Sequence, residues 1–483
     1  MSLSLQHPYL KIILNLSLRR KTSVYLVGGF LRDQYLNRSG ADFDFAVSKN
    51  AVALARAFSQ TIKGSFVLLD EEHPCGRVIK KEKGQILTFD FSDFRAASLD
   101  KDLQLRDFTI NALCLKINDV FCEDALTKKL IDRQGGLKDL KSKTVRMVAD
   151  RAFVDDPLRL MRAFSLFAQL GFKIEAKTMT QIKKDVALIN KVSMERIREE
   201  FFKVLASGRT FETLNLMHKA GLLQKVIPQL SVMEGVHQGG YHHLDVWKHT
   251  LEVVNQFEKL TDSFCRDAIN GVSTDQFICD YLQEDIAGGH KRYALIKFAC
   301  LLHDIGKPET KKQEADRMTF HGHEHVGAHI TRLIAKQLKL SVKERHFLED
   351  AVIWHLRPGY LSNFKKPSER MIFRYLRDTQ EEALSILLLA IADQRSTCGP
   401  LTDKPKSDHH FKICQMVISR FIESKNQKPV LRLITGNDLI KKLKLKPSSL
   451  FAEILTKVAE AQALGQVSDK NEALALAKKI AKI

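Results

Sequence analysis

The spacing of apolar and polar residues changes character once along the chain. Between positions 24 and 102, short runs with strand-like alternation at 24–27, 43–47, 66–69 and 86–91 are separated by loops and helical stretches. Beyond about residue 143 that pattern fades, and apolar residues recur at helical spacing through 157–170, 194–205 and 211–223. The chain is therefore expected to be α+β, with a mixed α/β head and an all-α remainder. The first twenty residues carry Lys11 inside their apolar part, end in Arg19-Arg20 and lack a small-residue cleavage site, which predicts an amphipathic helix rather than a signal peptide. Turn-rich breaks at 235–240 and 398–400 are the expected boundaries between helical blocks.

With 483 residues the chain is too long for one core, so two to four domains are expected. Hydrophobic content of 44% and charged content of 28% exclude collagen-like or largely disordered chains. No apolar run approaches the roughly 20 residues that span a bilayer, so no membrane partner is expected. The eight cysteines form no CxxC pair and read as reduced thiols, which fits a cytoplasmic protein. The formal charge of +19 changes the picture more, because it points to a polyanionic partner, nucleic acid ahead of a membrane surface. The tail contributes to it through Lys441, Lys442, Lys444 and Lys446.

Chemistry concentrates in two places. In the head, the first strand runs into Gly28-Gly29, with Arg32 and Asp33 one helical turn later. Glycines there let backbone N–H groups approach a triphosphate, and Arg32 can pair with its oxygens. Asp42 and Asp44 follow at i, i+2 on a strand, so both carboxylates face one side and Phe43 the other. Such a pair can hold Mg²⁺ ions that activate an attacking hydroxyl and neutralise pyrophosphate, and Asp90 from a neighbouring strand can add a third carboxylate. In the middle of the chain, the quarter between His237 and His355 holds twelve of the seventeen histidines. Within it, His303-Asp304-Ile-Gly-Lys ends an apolar helix.

The head resembles class II tRNA nucleotidyltransferases, the CCA-adding enzymes and their bacterial poly(A) polymerase relatives. After the Gly-Gly-x-x-Arg and Asp-x-Asp strings, Leu105-Arg106-Asp107 with Asn111 resembles the motif that contacts sugar and phosphates. Gly135-Gly136 through Asp139 and Arg146 resembles the joint between head and neck, and Asp155-Asp156-Pro-Leu-Arg159 with Arg162 resembles the base-selecting motif. The resemblance assigns catalysis to Asp42, Asp44 and Asp90. It assigns nucleotide binding to Gly28, Gly29, Arg32, Asp33, Arg106, Asp107, Asn111, Asp156, Arg159 and Arg162. The spacing puts Asp156 and Arg159 on one helix face. There a carboxylate accepts from the exocyclic amine of cytosine or adenine while a guanidinium donates to the neighbouring acceptor. Uracil and guanine would leave both charges unpaired, so C and A are selected without a template.

The His-Asp string resembles the HD phosphohydrolase superfamily, and His249, His323, His355 and Asp393 resemble its other ligands. With His303 and Asp304 they make six N/O ligands, suited to a binuclear divalent transition-metal site that activates water toward phosphate esters. Together the resemblances imply a nucleotidyltransferase head at 1–143, a helical neck at 144–234, an HD body at 235–400 and a basic helical tail at 401–483. The neck and tail are expected to bind RNA. The implied function is template-independent addition of CCA to tRNA 3′ ends from CTP and ATP, with Mg²⁺ in the head and phosphodiesterase or phosphatase action in the body. Only six residues separate Arg95 from Asp102, where complete CCA-adding members usually carry a longer segment that the CC-adding subgroup lacks, so addition of CC alone stays open beside CCA. Two alternatives are a poly(A) polymerase and an RNA-binding HD phosphohydrolase with an inactive head. The acceptor stem of tRNA is the expected partner, and no stable protein partner is expected.

Overall fold

The computed structural model describes the chain except residues 1–4, 6, 70–73, 83, 241, 270–272, 315–316, 428–430 and 483. It forms two compact units, one of residues 1–204 with 216–226 and one of 205–215 with 227–483.

The first unit is built on a seven-stranded sheet of β1 (Val24–Val27), β2 (Asp42–Val47), β3 (Ser65–Leu68), β4 (Cys75–Glu82), β5 (Gln85–Asp93), β6 (Leu113–Lys116) and β7 (Ile131–Asp132). The strands lie in the order β3-β4-β5-β2-β1-β6-β7, with β2 and β5 parallel and the other neighbours antiparallel. Four of these strands follow the expected runs. The long β4 does not, because only Gly76 and Val78 are buried and its apolar residues run together only at Val78-Ile79, ahead of Lys80, Lys81 and Glu82. The expected first helix forms at Pro8–Arg19, opened by Pro8 and capped by the His7 side chain.

Phe43 and Phe45 point away from the carboxylates of β2 and stack on Phe89 and Phe91 of β5, with ring centroids 4.8 and 4.7 Å apart. Each buried ring contributes about 1.5–3 kcal/mol, which fixes the β2/β5 register and with it the position of every acid on the other face. The helix expected over 157–170 begins at Arg159 and stops where Gly171 turns left-handed at φ +71.

The second unit is mainly helical. Helices Arg292–Leu302 and Ala383–Ser396 are buried on nearly every face, which marks them as its centre. Their ends deliver His303 and Asp393. Helices Val246–Ile269, His323–Gln337 and Val342–Trp354 surround this part of the sequence and carry or adjoin the remaining histidines. The stretch expected as one helix over 211–223 is two, Thr210–Lys219 and Leu222–Val226, parted by Gly221 at φ +77. The expectation of an all-α remainder also needs correction: paired strands of two or three residues occur at 144–145/173–174, 285–287/290–291 and 312–314/317–319. They are too short to leave a periodic signal. A separate small core around Ile434, Leu439, Ile454 and Val458 organises the tail.

Candidate active site and metal centre

In the first unit a cleft of about 400 Å³ opens over the ends of β1, β2 and β5. Gly28 adopts φ +78, and a Cβ there would lie 3.1 Å from Asp44 Oδ2, so only glycine lets the turn approach the acid. Arg32 donates through Nε and Nη2 to Asp33 at 2.9 Å each and through Nη1 to Asn111 Oδ1 at 2.7 Å. Asp44 and Asp90 are direct partners across the parallel pair β2/β5. Burial raises the Asp44 carboxyl above its ordinary range and the Asp90 and Asp42 charges add to this, against the pull of Arg106 and Arg162. Asp90 is held by Arg77, which donates to its two oxygens at 2.8 and 2.6 Å. Asp42 sits exposed at the start of β2, two residues from Asp44 on the same side of the sheet.

Asp107 accepts from the Phe108 N–H at 2.7 Å and from the Asn111 amide at 3.2 Å, and Arg162 Nε stands 3.4 Å away. Burial works to raise its carboxyl, but Arg162, the Phe108 N–H and Arg159 hold it below the usual range. Arg106 is paired with Asp102 at 3.2 Å. The expected coupling of Asp156 with Arg159 is not formed. Asp156 lies in extended backbone before the helix, accepts from Leu158 N–H, and faces Arg196 at 3.4 Å. Arg159 is buried instead, donating to the carbonyls of Leu105 at 2.7 Å, Ala152 at 3.2 Å and Arg106 at 3.4 Å. Both residues still line the cleft, along with Arg162.

The second unit draws all six expected ligands together. The ligand atoms of His249, His303 and Asp393 lie within 4.8 Å of one another, and so do those of Asp304, His323 and His355. Asp304 stands between the groups, with Oδ2 3.2 Å from His303 Nε2 and Oδ1 3.4 Å from His323 Nε2. His303, His323 and His355 each place Nδ1 on the carbonyl three residues earlier, at 2.9, 2.8 and 2.6 Å. That assigns the proton to Nδ1 and turns the Nε2 lone pair inward. The His323 and His355 Nε2 atoms then face each other at 3.3 Å. Burial pushes the His355 imidazole down to about 3, with His303 and His323 adding to the effect. Burial also works to raise the Asp304 carboxyl, but His303 and Lys307 hold it well below the usual range. Gly306 is required here: a Cβ would come within 2.2 Å of the His323 carbonyl oxygen.

Residues 24–146 match the poly A polymerase head domain, 171–233 the probable RNA and SrmB-binding site of polymerase A, and 246–397 the HD domain. The A-adding tRNA nucleotidyltransferase of Deinococcus radiodurans is 30% identical over 460 residues, covering 93% of this chain and 94% of its own. The chain belongs to the tRNA nucleotidyltransferase family. The CC-adding tRNA nucleotidyltransferase of Thermus thermophilus is 28% identical, covering 93% of this chain and 92% of its own. The fold is shared with the Thermotoga maritima CCA-adding enzyme solved with tRNA, at a TM-score of 0.59, 18% identity, and coverage of 98% and 94%.

As a member of this family the chain is a nucleotidyltransferase with an HD domain, and the family uses divalent metals. The residues present fit such ions unequally. The body offers imidazoles and carboxylates that converge, with the Nε2 atoms of His303 and His323 turned toward Asp304, a donor set that suits transition metals. In the head, Asp42 and Asp44 suit a hard cation, and Asp90 beside Asp44 is held by Arg77 through both oxygens. Several groups at the sites carried no separate signal in the sequence. Lys307 donates to Gln238 Oε1 and contacts Asp304 Oδ2, each at 2.6 Å. Its place in the His-Asp-Ile-Gly-Lys string was the available clue. His242 packs against His249 with centroids 4.8 Å apart. Arg77, Glu200 and Lys203 reach the head site from elements distant in sequence, and nothing local marks them.

Proposed function

We propose that the head extends tRNA 3′ ends with nucleotides of the CCA terminus, taking CTP and ATP as donors. The observation that carries this reading is the Asp42/Asp44 pair on one side of β2, beside the Gly28 turn and the Arg32–Asn111 and Arg162–Asp107 contacts. Asp42 and Asp44 would hold Mg²⁺, which when bound supplies charge for the attacking hydroxyl and the leaving pyrophosphate. Gly28 admits the triphosphate to the turn, and Arg32 and Arg106 meet its oxygens. Asp156 and Arg162 are the charged groups available to a base edge, with Arg159 shaping the floor between them. The short link from Arg95 to Asp102, closed by the Arg95 N–H on Asp102 Oδ1 at 3.0 Å, supports a second reading in which only part of CCA is added.

In the body, His249, His303, Asp304, His323, His355 and Asp393 would hold divalent transition metals, which when bound supply a nucleophilic water. The reaction proposed is hydrolysis of a terminal or 2′,3′-cyclic phosphate on RNA. Water's oxygen bonds to phosphorus, one ribose P–O bond breaks, and the departing ribose oxygen takes a proton. Lys307 places a positive charge beside Asp304 for the phosphate.

The test supplies purified chain and Mg²⁺ with tRNA transcripts ending before C74, at C75 or at A76, and with an unrelated RNA, plus CTP, ATP or both. Addition of C, A or both to the tRNAs alone is expected, and the stopping point separates CC, A and CCA addition. Long adenine tails on the unrelated RNA would replace this assignment by poly(A) polymerase. Asp42→Ala is expected to abolish incorporation while phosphate release by the body continues. Incorporation that survives it would sink the head assignment.

A further inference from the structure

The histidine–aspartate cleft is larger than its metal ligands require. Its volume is about 740 Å³, within the roughly 300–1,000 Å³ of pockets that enclose a whole organic ligand and beyond what one phosphate fills. Its floor carries Asp304, His323 and His355, and its outer wall is different in kind. The turn after helix Arg357–Ser362 brings Phe364 and Lys365 to the wall, and helix Lys404–Asn426 brings Lys406 and His409. Phe364 is half exposed although its backbone is pinned: its N–H donates to Leu361 O at 3.3 Å and its carbonyl accepts from His409 Nε2 at 3.0 Å. Lys365 and Lys406 are exposed beside it. An exposed aromatic ring on a pinned backbone, with exposed ammonium groups lining the same cleft of a phosphate-ester site, is an arrangement that suits single-stranded nucleic acid, with the base stacked and the backbone neutralised.

We propose that Phe364 and Lys365 form a platform for the nucleotide preceding the terminal one, so that the body prefers an RNA 3′ end over a free nucleotide. This rests on the phosphohydrolase reading of the same cleft. With the terminal phosphate at the ligand floor, the terminal nucleoside occupies the cleft, and the next base reaches the Phe364 ring while its phosphate meets Lys365. Phe364 and Lys365 are positioning residues and take no part in the bond changes.

The experiment compares the full chain, loaded with manganese or nickel, on a five-nucleotide RNA ending in a 2′,3′-cyclic phosphate and on the matching nucleoside 2′,3′-cyclic phosphate. The readout is the ratio of kcat/KM for the two substrates. The unmodified chain should favour the oligonucleotide, and Phe364→Ala should lower the ratio by about tenfold, as expected for loss of one stacked base. Phe364→Trp should retain the preference, and Lys365→Glu should lower it independently of the ring. A ratio near one in the unmodified chain, or one that neither Phe364→Ala nor Lys365→Glu moves, overturns the platform while leaving the hydrolase reading intact. Hydrolysis of neither substrate by the unmodified chain overturns that reading and the platform with it.

Discussion

Arg159 carries a full charge into a site where it has almost no access to water, and its N–H groups end on three carbonyls from two separate segments. Burial lowers its guanidinium from the ordinary value, against the pull of Asp107 and Asp156. The planar fork is what satisfies carbonyls in different directions, and an ammonium cannot reproduce it. Arg159→Lys is therefore expected to cost about 1–3 kcal/mol and to lower nucleotide incorporation together with stability. Urea denaturation of the variant checks this, and an unchanged midpoint would show that the carbonyl contacts carry no weight. The same residue marks where the sequence stops being informative. Spacing of i, i+3 predicts that Asp156 and Arg159 share a helix face, yet the helix starts only at Arg159 and Asp156 turns to Arg196, forty positions away. By contrast, the density of histidines between 237 and 355 signals the body cluster without any knowledge of the fold. Four of them, His249, His303, His323 and His355, are buried together, and gathering that many imidazoles away from water is costly without a shared ligand, which is why the density is readable.

At the scale of elements, helix Arg292–Leu302 buries two cations, Arg292 at its first position and Lys297 in the middle of its apolar run. Lys297 is fully buried and donates to Glu258 Oε1 at 2.8 Å and to Thr210 Oγ1 at 3.1 Å. Glu258 in turn accepts from the Thr210 N–H at 2.8 Å and the Phe211 N–H at 3.2 Å, and so caps the helix that begins there. Burial lowers the Lys297 ammonium to about 8 against the opposing pull of Glu258. Removing only the cation strands a buried carboxylate, so Lys297→Met should cost about 3–5 kcal/mol. Adding Glu258→Gln should recover part of that, because an amide oxygen still accepts the Thr210 N–H without a charge to neutralise while the Phe211 N–H loses its acceptor. Equal losses in the single and double variants, measured by denaturant midpoints of the full chain, would rule out the pair as the cause. Sequence pattern found helices Pro8–Arg19, Arg159–Leu170 and Met194–Leu205, each of which runs over three turns. It missed β4 because that strand's only apolar run is the pair Val78-Ile79, and its place in the sheet is set by β5 alongside it. The ribbons of two and three residues escaped for a similar reason, since each is too short to leave a run of strand-forming residues.

For the molecule as a whole, the +19 charge is the property no single element accounts for. It is spread over both units and rises again in the tail, where Lys441 and Lys442 occupy the last turn of helix Gly436–Leu443 and Lys444 follows it in left-handed backbone at φ +52. Cations there complement the helix dipole, so their position has a local explanation as well as a long-range one. The two roles make different predictions. Charges that serve only their own helices leave RNA affinity nearly independent of ionic strength, whereas charges that meet phosphates release counterions on binding. If six or more phosphates are neutralised, affinity for tRNA should fall by about a thousandfold or more between 50 and 200 mM salt. Filter binding across that range distinguishes the cases. Replacing Lys441, Lys442 and Lys444 together with glutamine should make the slope shallower while leaving the denaturant midpoint nearly unchanged. A flat salt response in the unmodified chain would mean that the basic surplus serves solubility and helix termini, and that recognition of the RNA rests on the two clefts alone.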